Sequence, residues 1–287
     1  MPDFYSAKKI AELLQQNEAV PLKRLGQNFL IDKNILQQVI KNADIKESDI
    51  ILEIGPGIGA LTIELAKKAK KIIAIEKDKK LYNILKDIIE KENITNIQLI
   101  NDDILTLSIE KLMAKRDYKI IANLPYYITS AIIKKFLESE CQPNRLLVFV
   151  QKEIAQRICQ KPPKMSILAI SVQFYGRPKV LKYISKNSFW PIPKVDSAII
   201  EIVPFTSRLK NLDKNSRKLS IDAFFRLVRA GFSSPRKQLA SNLAKNLEIE
   251  RENIEKSLLK CGLNSKQRAE TLTIKDWENL TSTILFL

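Results

Sequence analysis

One short stretch constrains this chain more than any other. The apolar run Ile50-Ile51-Leu52-Glu53-Ile54 leads into Gly55-Pro56-Gly57-Ile58-Gly59, and Ala60 to Ala69 then carries a helical pattern. Glycines let a backbone turn tightly and approach a ligand closely. Strand, glycine turn and helix in that order open a βα unit whose ligand crevice lies at the strand's carboxyl end. The alternation continues. Strands are predicted at Ile72–Ile75, Ile97–Ile100, Tyr118–Ala122 and Leu146–Val150, with helices at Lys79–Lys91 and Thr129–Glu138. Such alternation implies a parallel sheet covered on both faces, an α/β domain of Rossmann-like type. Ile167–Tyr175 and Ser197–Val203 are expected to close the sheet as an antiparallel pair.

The flanks read differently. Ser6 is placed to cap a helix running to about Gln16, and Asp32 to cap a second, with Ile31 and Leu36 spaced for a hydrophobic staple. After Pro204 the chain becomes polar and charged, and no strand pattern returns. Helices are predicted at Ile221–Ala230, Ser234–Lys245, Arg251–Cys261 and Lys275–Leu280, with Ser234-Pro235 suited to an N-cap and first helical position. The expected layout is a sheet domain over 1–205 with an N-terminal helical extension, a linker over 206–218 and a small all-helical domain over 219–287.

The glycine loop alone leaves two ligands open. Gly55, Gly57 and Ala60 fit the dinucleotide pattern G-x-G-x-x-A, and Glu76 at the end of the next strand is placed to take ribose hydroxyls. That describes NAD and S-adenosylmethionine equally. Charge favours the second, because Glu53 beside the glycines opposes a pyrophosphate and tolerates a cationic sulfonium. Asp102 or Asp103, after the third strand, is placed to accept from an adenine amino group.

Composition narrows the chemistry. There is no histidine among 287 residues, which removes Ser-His and Cys-His mechanisms and most zinc or iron sites. The three cysteines, Cys141, Cys159 and Cys261, are far apart and suit a reducing cytoplasm. No apolar run reaches membrane length, and Met1 to Gln16 lacks a signal-type apolar region. The net charge of +16 points to a polyanionic partner.

A second motif meets that charge. Asn123-Leu124-Pro125-Tyr126 follows a buried strand with an amide, a proline-fixed turn and an aromatic face. Together with Gly55-Pro56-Gly57, Glu76 and Asp103, it resembles the S-adenosylmethionine-dependent adenine-N6 methyltransferases. The ordered set of Gly26-Gln27-Asn28-Phe29-Leu30, Phe189-Trp190-Pro191-Ile192-Pro193-Lys194-Val195-Asp196-Ser197 and Arg236-Lys237-Gln238-Leu239 goes further. From about Leu25 onward the chain is similar to the bacterial small-subunit (16S) ribosomal RNA adenine dimethyltransferases, the kasugamycin-resistance family.

That resemblance implies roles. Asn28 and Leu30 would contact the methionine end of S-adenosylmethionine, Glu53, Gly55 and Gly57 would line it, Glu76 would hold its ribose and Asp103 its adenine. Asn123 and the Leu124 carbonyl would accept from the target amine, Pro125 would fix the turn, and Tyr126 and Phe189 would stack on the two faces of the target base. Tyr127 is expected to be structural. Arg226, Arg229, Arg236 and Lys237 would meet RNA phosphates. The implied product is N6,N6-dimethyladenosine at two adjacent adenosines in a hairpin near the 3′ end of 16S RNA, made on a small-subunit precursor by a cytoplasmic, metal-free monomer. The related large-subunit methyltransferase of macrolide resistance, an NAD-dependent oxidoreductase and a non-catalytic ribosome-assembly factor are the competing readings. The oxidoreductase leaves Asn123 to Tyr126 and the +16 charge unexplained.

Overall fold

The computed structural model describes residues 2–114, 116–205 and 214–284, with side chains of 214–219 outside the description. By Cα packing the chain forms two compact units. One is Met1–Ala155 with Gly176–Pro204; the other is Gln156–Tyr175 with Phe205–Leu287. Residues 156–175, expected within the sheet domain, therefore group with the C-terminal helices. Of the expected linker, 206–213 lie outside the described residues, and 214–218 already belong to a helix.

The first unit begins with α1 (Ala7–Gln16), capped by Ser6, whose side chain accepts from the Lys9 N–H. A one-turn helix, Lys23–Leu25, leads to the short strand β1 (Phe29–Leu30) and to α2 (Lys33–Asn42), capped by Asp32, whose side chain accepts from the Asn34 and Ile35 N–H groups. Then come β2 (Ile50–Ile54), α3 (Ala60–Ala66), β3 (Lys71–Glu76), α4 (Lys79–Lys91), β4 (Ile97–Asn101), α5 (Ile109–Met113), β5 (Lys119–Asn123), α6 (Thr129–Glu138), β6 (Arg145–Gln151) and α7 (Lys152–Ile158), which from Gln156 on is counted with the second unit. α8 (Ile167–Tyr175) belongs to the second unit, and β7 (Gly176–Ile184), β8 (Phe189–Trp190) and β9 (Ser197–Pro204) return to the first.

Seven of these strands form one sheet in the order β4-β3-β2-β5-β6-β9-β7. β4 to β6 pair in parallel, and β9 runs antiparallel to both β6 and β7. The central strands are buried on both faces, which is why IILEI and KIIAIE read as continuous apolar runs rather than alternations. α2 and α3 pack Leu36, Val39 and Leu65 with Ile51, Ile72 and Ile121 in one core cluster. α1 and α4 contribute Ile10, Leu14, Leu81 and Ile84 to another.

One strand assignment is overturned. Ile167–Tyr175 is helix α8, and the antiparallel partners of β9 are β6 and β7. A nine-residue run whose polar residues, Ser171 and Gln173, lie two apart has no helical period to distinguish it from a strand. β7 itself was missed because Lys179, Lys182 and Pro178 weaken its pattern; it is an edge strand, where proline is tolerated.

In the second unit α8 is joined by α9 (Lys214–Gly231), α10 (Leu239–Leu247), α11 (Arg251–Lys260) and α12 (Ile274–Ile284). Their core holds Trp277, Val228, Leu239, Leu243, Ile254 and Leu258. Ser234 does not start a helix. Its carbonyl, with that of Gly231, accepts from the buried Asn242 amide at 2.9 and 2.7 Å, and α10 begins only at Leu239.

Candidate active site

The strand order places the site. β2 leads outward through β3 to β4, whereas β5 starts on the other side of β2 and leads to β6. Where that order reverses, the loops after β2 and β5 part and leave a crevice at the strands' carboxyl ends. An open cavity of about 1050 Å³, mouth included, lies there.

The floor is set by the glycine turn. Gly57 adopts φ +61°, and a Cβ on it would come 3.2 Å from the Phe29 ring. Gly59 adopts φ +94°, and a side chain there would run into Leu85 of α4. The turn thus stays flat against β1 and α4 and leaves its other side to the cavity. It is clamped by Glu76, whose Oε2 accepts from the Gly57 N–H at 3.0 Å and Oε1 from the Asp78 N–H at 2.8 Å. Burial pushes the Glu76 carboxyl up to about 7, against the pull of these bonds.

Glu53 is more extreme. It is 1% exposed, and burial, with the charge of Glu76 adding, pushes it up to about 8 against the nearby Thr62 hydroxyl. Neither Glu53 Oε2 nor Thr62 Oγ1 has a hydrogen-bond partner of normal geometry among the described residues. Glu53 is therefore not the standing charge its sequence position suggests: burial keeps it protonated at neutral pH.

On the other wall, β5 ends at Asn123. Its Nδ2 donates to the Asn28 backbone carbonyl at 3.1 Å, which joins this turn to the segment before β1. Asn28 Nδ2 in turn donates to the Gly26 carbonyl. Among the described residues no donor reaches Asn123 Oδ1 or the Leu124 carbonyl, so two acceptors lie unclaimed in adjacent residues. Pro125 turns the chain, and its carbonyl takes the Ile128 N–H and the Thr129 hydroxyl at 3.2 and 3.1 Å. The half-buried Tyr126 shares a 2.5 Å hydrogen bond with the buried Ser197 Oγ at the start of β9, and burial raises its phenol.

The rim carries Asp102 and Asp103 after β4. Asp103 accepts from the Leu105 N–H and pairs with Lys77 at 2.7 Å; Lys77 first, with burial opposing, holds its carboxyl below the usual range. Asp102 is the more exposed of the two and accepts the Asp103 N–H.

Asn28, Leu30, Glu53, Gly55, Gly57, Glu76, Asp103 and Asn123 to Tyr126 all line this one cavity. Phe189 does not. It is fully buried, pairs with Leu30 across β1 and β8, and meets Phe149 edge-on at 6.3 Å, so no ring face is left for a base. Tyr127, expected to be structural, is 52% exposed and lines the cavity mouth. Sequence reasoning also missed Gln27, Lys77, Ile104 and Phe149. Gln27 had a signal, lying within the quoted Gly26–Leu30 motif; it ties that segment to Asp78 at 2.8 Å. Phe149 had none, since it enters only by pairing in register with Asn123. In the second unit Arg226, Arg229, Arg236 and Lys237 are all exposed. Among the described residues no group of three or more acidic, cysteine or histidine side chains is disposed to hold a metal, and no helix is long and apolar enough to cross a membrane.

Comparison with known proteins agrees with this geometry. The family profile for ribosomal RNA adenine dimethylase matches residues 22–284. Ribosomal RNA small subunit methyltransferase A of Dehalococcoides mccartyi (strain CBDB1) is 42% identical over 260 residues, 90% of this chain and 86% of that one. The crystal structure of a dimethyladenosine transferase from Plasmodium falciparum superposes with a TM-score of 0.72 at 26% identity, over 87% of this chain and 94% of that one. The 23S rRNA methyltransferase ErmE gives 0.71 at 24% identity over 89% and 99%, a likeness of fold.

Proposed function

The chain belongs to the ribosomal RNA adenine dimethylase family, and from that premise we propose that it dimethylates two adjacent adenosines in a hairpin near the 3′ end of small-subunit RNA, using S-adenosylmethionine. The enzyme is an rRNA adenine dimethyltransferase on a Rossmann-like α/β sheet. The observation that carries the finer reading is the pair of unclaimed acceptors, Asn123 Oδ1 and the Leu124 carbonyl, on the wall facing the glycine turn.

The cofactor fits what the cavity offers. Glu53 has a buried oxygen with no donor, and it stands beside a second buried carboxyl, Glu76. A cationic ligand is the complement of that wall; a pyrophosphate is not. Glu76 would take the ribose hydroxyls on lone pairs its two backbone bonds leave free, and Asp103, less exposed than Asp102, the adenine amine. When bound, the cofactor supplies an electrophilic methyl on a sulfonium.

The chain's own work is orientation. An exocyclic adenine amine is a poor nucleophile because its lone pair is delocalised into the ring. Acceptors on its two hydrogens favour a tetrahedral nitrogen with the lone pair directed at the methyl. Asn123 can serve because its Nδ2 is held by Asn28, which fixes Oδ1 as the outward atom. Tyr126, anchored through Ser197, would hold a base taken out of its stack. After one transfer a hydrogen remains on the amine, so either acceptor can orient it for a second. No histidine or metal is required: the methyl–sulfur bond would break as the nitrogen–methyl bond forms, the cofactor would depart as a neutral thioether, and the methylated amine, then cationic and acidic, would release its extra proton to water at the open mouth. The same reading takes the enzyme as a cytoplasmic monomer acting on a small-subunit precursor, with Arg226, Arg229, Arg236 and Lys237 on RNA phosphates.

Tritiated methyl transfer to small ribosomal particles, with nucleoside mass spectrometry of the product, tests this. Dimethyladenosine at two adjacent positions is expected. Monomethyladenosine alone, or label in large-subunit RNA, overturns it.

A further inference from the structure

Methyl transfer uses Tyr126 and leaves its neighbour unexplained. The two tyrosines treat water oppositely: Tyr126 is half-buried on Ser197, whereas Tyr127 is 52% exposed at the cavity mouth. They occupy successive positions of the one-turn helix Tyr126–Ile128. In such a turn successive side chains fan out by about 120°, so the two rings cannot face the same base. The Tyr127 ring lies against Gly26, where a Cβ would meet its Cδ1 at 3.8 Å. One edge of the ring thus lies near Gly26 while about half of the residue is open to solvent.

Charge of both signs lies around it, since Lys77, Asp102 and Asp103 line the same cavity. Gly26 ends the turn Lys23–Leu25, whose Arg24 is exposed and has no acidic partner among the described residues. Lys77 senses both neighbours: after the Asp103 hydrogen bond, which raises its ammonium most, Tyr127 raises it further and Arg24 opposes. Asp103 already neutralises Lys77 at 2.7 Å, which leaves Arg24 as the available charge. Tyr127 at the mouth thus offers an exposed ring, and Arg24, two residues before the Gly26 on which that ring rests, an exposed guanidinium with no acidic partner among the described residues.

We propose that Tyr127 is the stacking platform for the nucleotide next to the target adenosine, and that Arg24 takes that nucleotide's phosphate. The proposal rests on reading the cavity as an RNA adenine site. Drawing one base out of a strand strips its neighbour of a stacking partner. An aromatic face at the mouth offsets that loss without reading sequence, since every base has a π-face. A guanidinium grips a phosphate through two parallel hydrogen bonds, which holds the strand while the base is out.

The test uses the full chain, small ribosomal particles for kinetics, and an RNA hairpin carrying 2-aminopurine beside the target adenosine for binding. Tyr127→Ala is expected to raise the KM for particles about tenfold, the scale of one lost base–aromatic stack, with kcat and cofactor affinity near wild type. Its complex with the labelled hairpin is expected to be brighter than the wild-type complex, and Tyr127→Phe to restore both. Arg24→Gln should raise KM and make it less dependent on salt. Unchanged KM and fluorescence in Tyr127→Ala overturn the platform. So does a loss of cofactor affinity, which would make Tyr127 a cover for the cofactor, or a loss confined to kcat, which would place it on the target base. If the wild-type chain transfers no methyl to RNA, the reading of the site fails; if it turns over and Tyr127→Ala matches it, only the platform fails.

Discussion

A carboxyl group with 1% exposure and an unpartnered oxygen has two ways to lower its free energy: keep its proton, or meet a cation. Without ligand, Glu53 keeps its proton up to about pH 8. The unfolded chain releases that proton near the ordinary value of 4.5. Between those two values the folded state binds more protons than the unfolded one, so stability falls as pH rises. Glu76, raised to about 7, acts in the same direction. The contribution is complete below 4.5 and is lost as pH climbs through 8. Denaturant unfolding of the cofactor-free chain is expected to show this decline, and Glu53→Gln, which keeps the shape and removes the titration, to flatten it. An unchanged slope in that variant would exclude Glu53 as its source. For turnover, the proposed function puts the weight on Asn123. Asn123→Ala should keep most cofactor affinity yet transfer methyls at least ~100-fold more slowly, the scale of a lost transition-state hydrogen bond. Tyr126→Phe should cost about tenfold at most, because losing the Ser197 bond frees the ring without removing its face. Tyr126→Ala should cost more. Single-turnover assays separate these, and equal losses in Phe and Ala would assign the role to the hydroxyl.

At the scale of elements, the glycine turn decides whether β2, α3 and α4 can share one edge of the sheet. Gly59 must be glycine twice over, since its φ is +94° and any side chain collides with Leu85. Gly262, after α11, has φ +71° and nothing within 4 Å of a Cβ. Gly59→Ala should therefore destabilise by about 2–4 kcal/mol, backbone strain plus overpacking, and Gly262→Ala by only about 1. Equal losses in unfolding experiments would mean that Leu85 yields and that backbone strain alone operates. The elements that carry the site were also the legible ones. Strand-length apolar runs ending in glycine, asparagine or acid mark β2 to β5, and α4 and α6 run over the residues their periodicity predicts. Ser6 and Asp32 cap where expected because capping is a local interaction. What stayed hidden is non-local. The two-residue pairing of Phe29 with Trp190 and Leu30 with Phe189 has no local signature, yet it buries Phe189 and removes it from the stacking role its motif suggested. α8 was unreadable for a different reason: polar Ser171 and Gln173 alternate with apolar Val172 and Phe174, which imitates a strand.

For the whole molecule, the relevant quantity is charge. A net +16 on 287 residues cannot be accounted for by the cavity, whose buried walls are acidic. The surplus is at the surface, and Arg226, Arg229, Arg236 and Lys237 are exposed on a helical unit that has its own core around Trp277. Binding to a polyanion through such groups releases condensed counterions, so affinity falls as a power of salt concentration, by roughly 0.7–0.9 in the exponent for each phosphate neutralised. Affinity for small ribosomal particles is therefore expected to drop steeply between low and physiological salt. Replacing Arg236 and Lys237 together with glutamine should reduce the exponent by about 1.5, if each meets one phosphate, and leave cofactor affinity and the stability of the sheet unit unchanged. Filter binding across a salt series measures the exponent directly. A double variant with the wild-type exponent would remove these two residues from the interface, and a complex indifferent to salt would mean that shape rather than phosphate charge holds the particle.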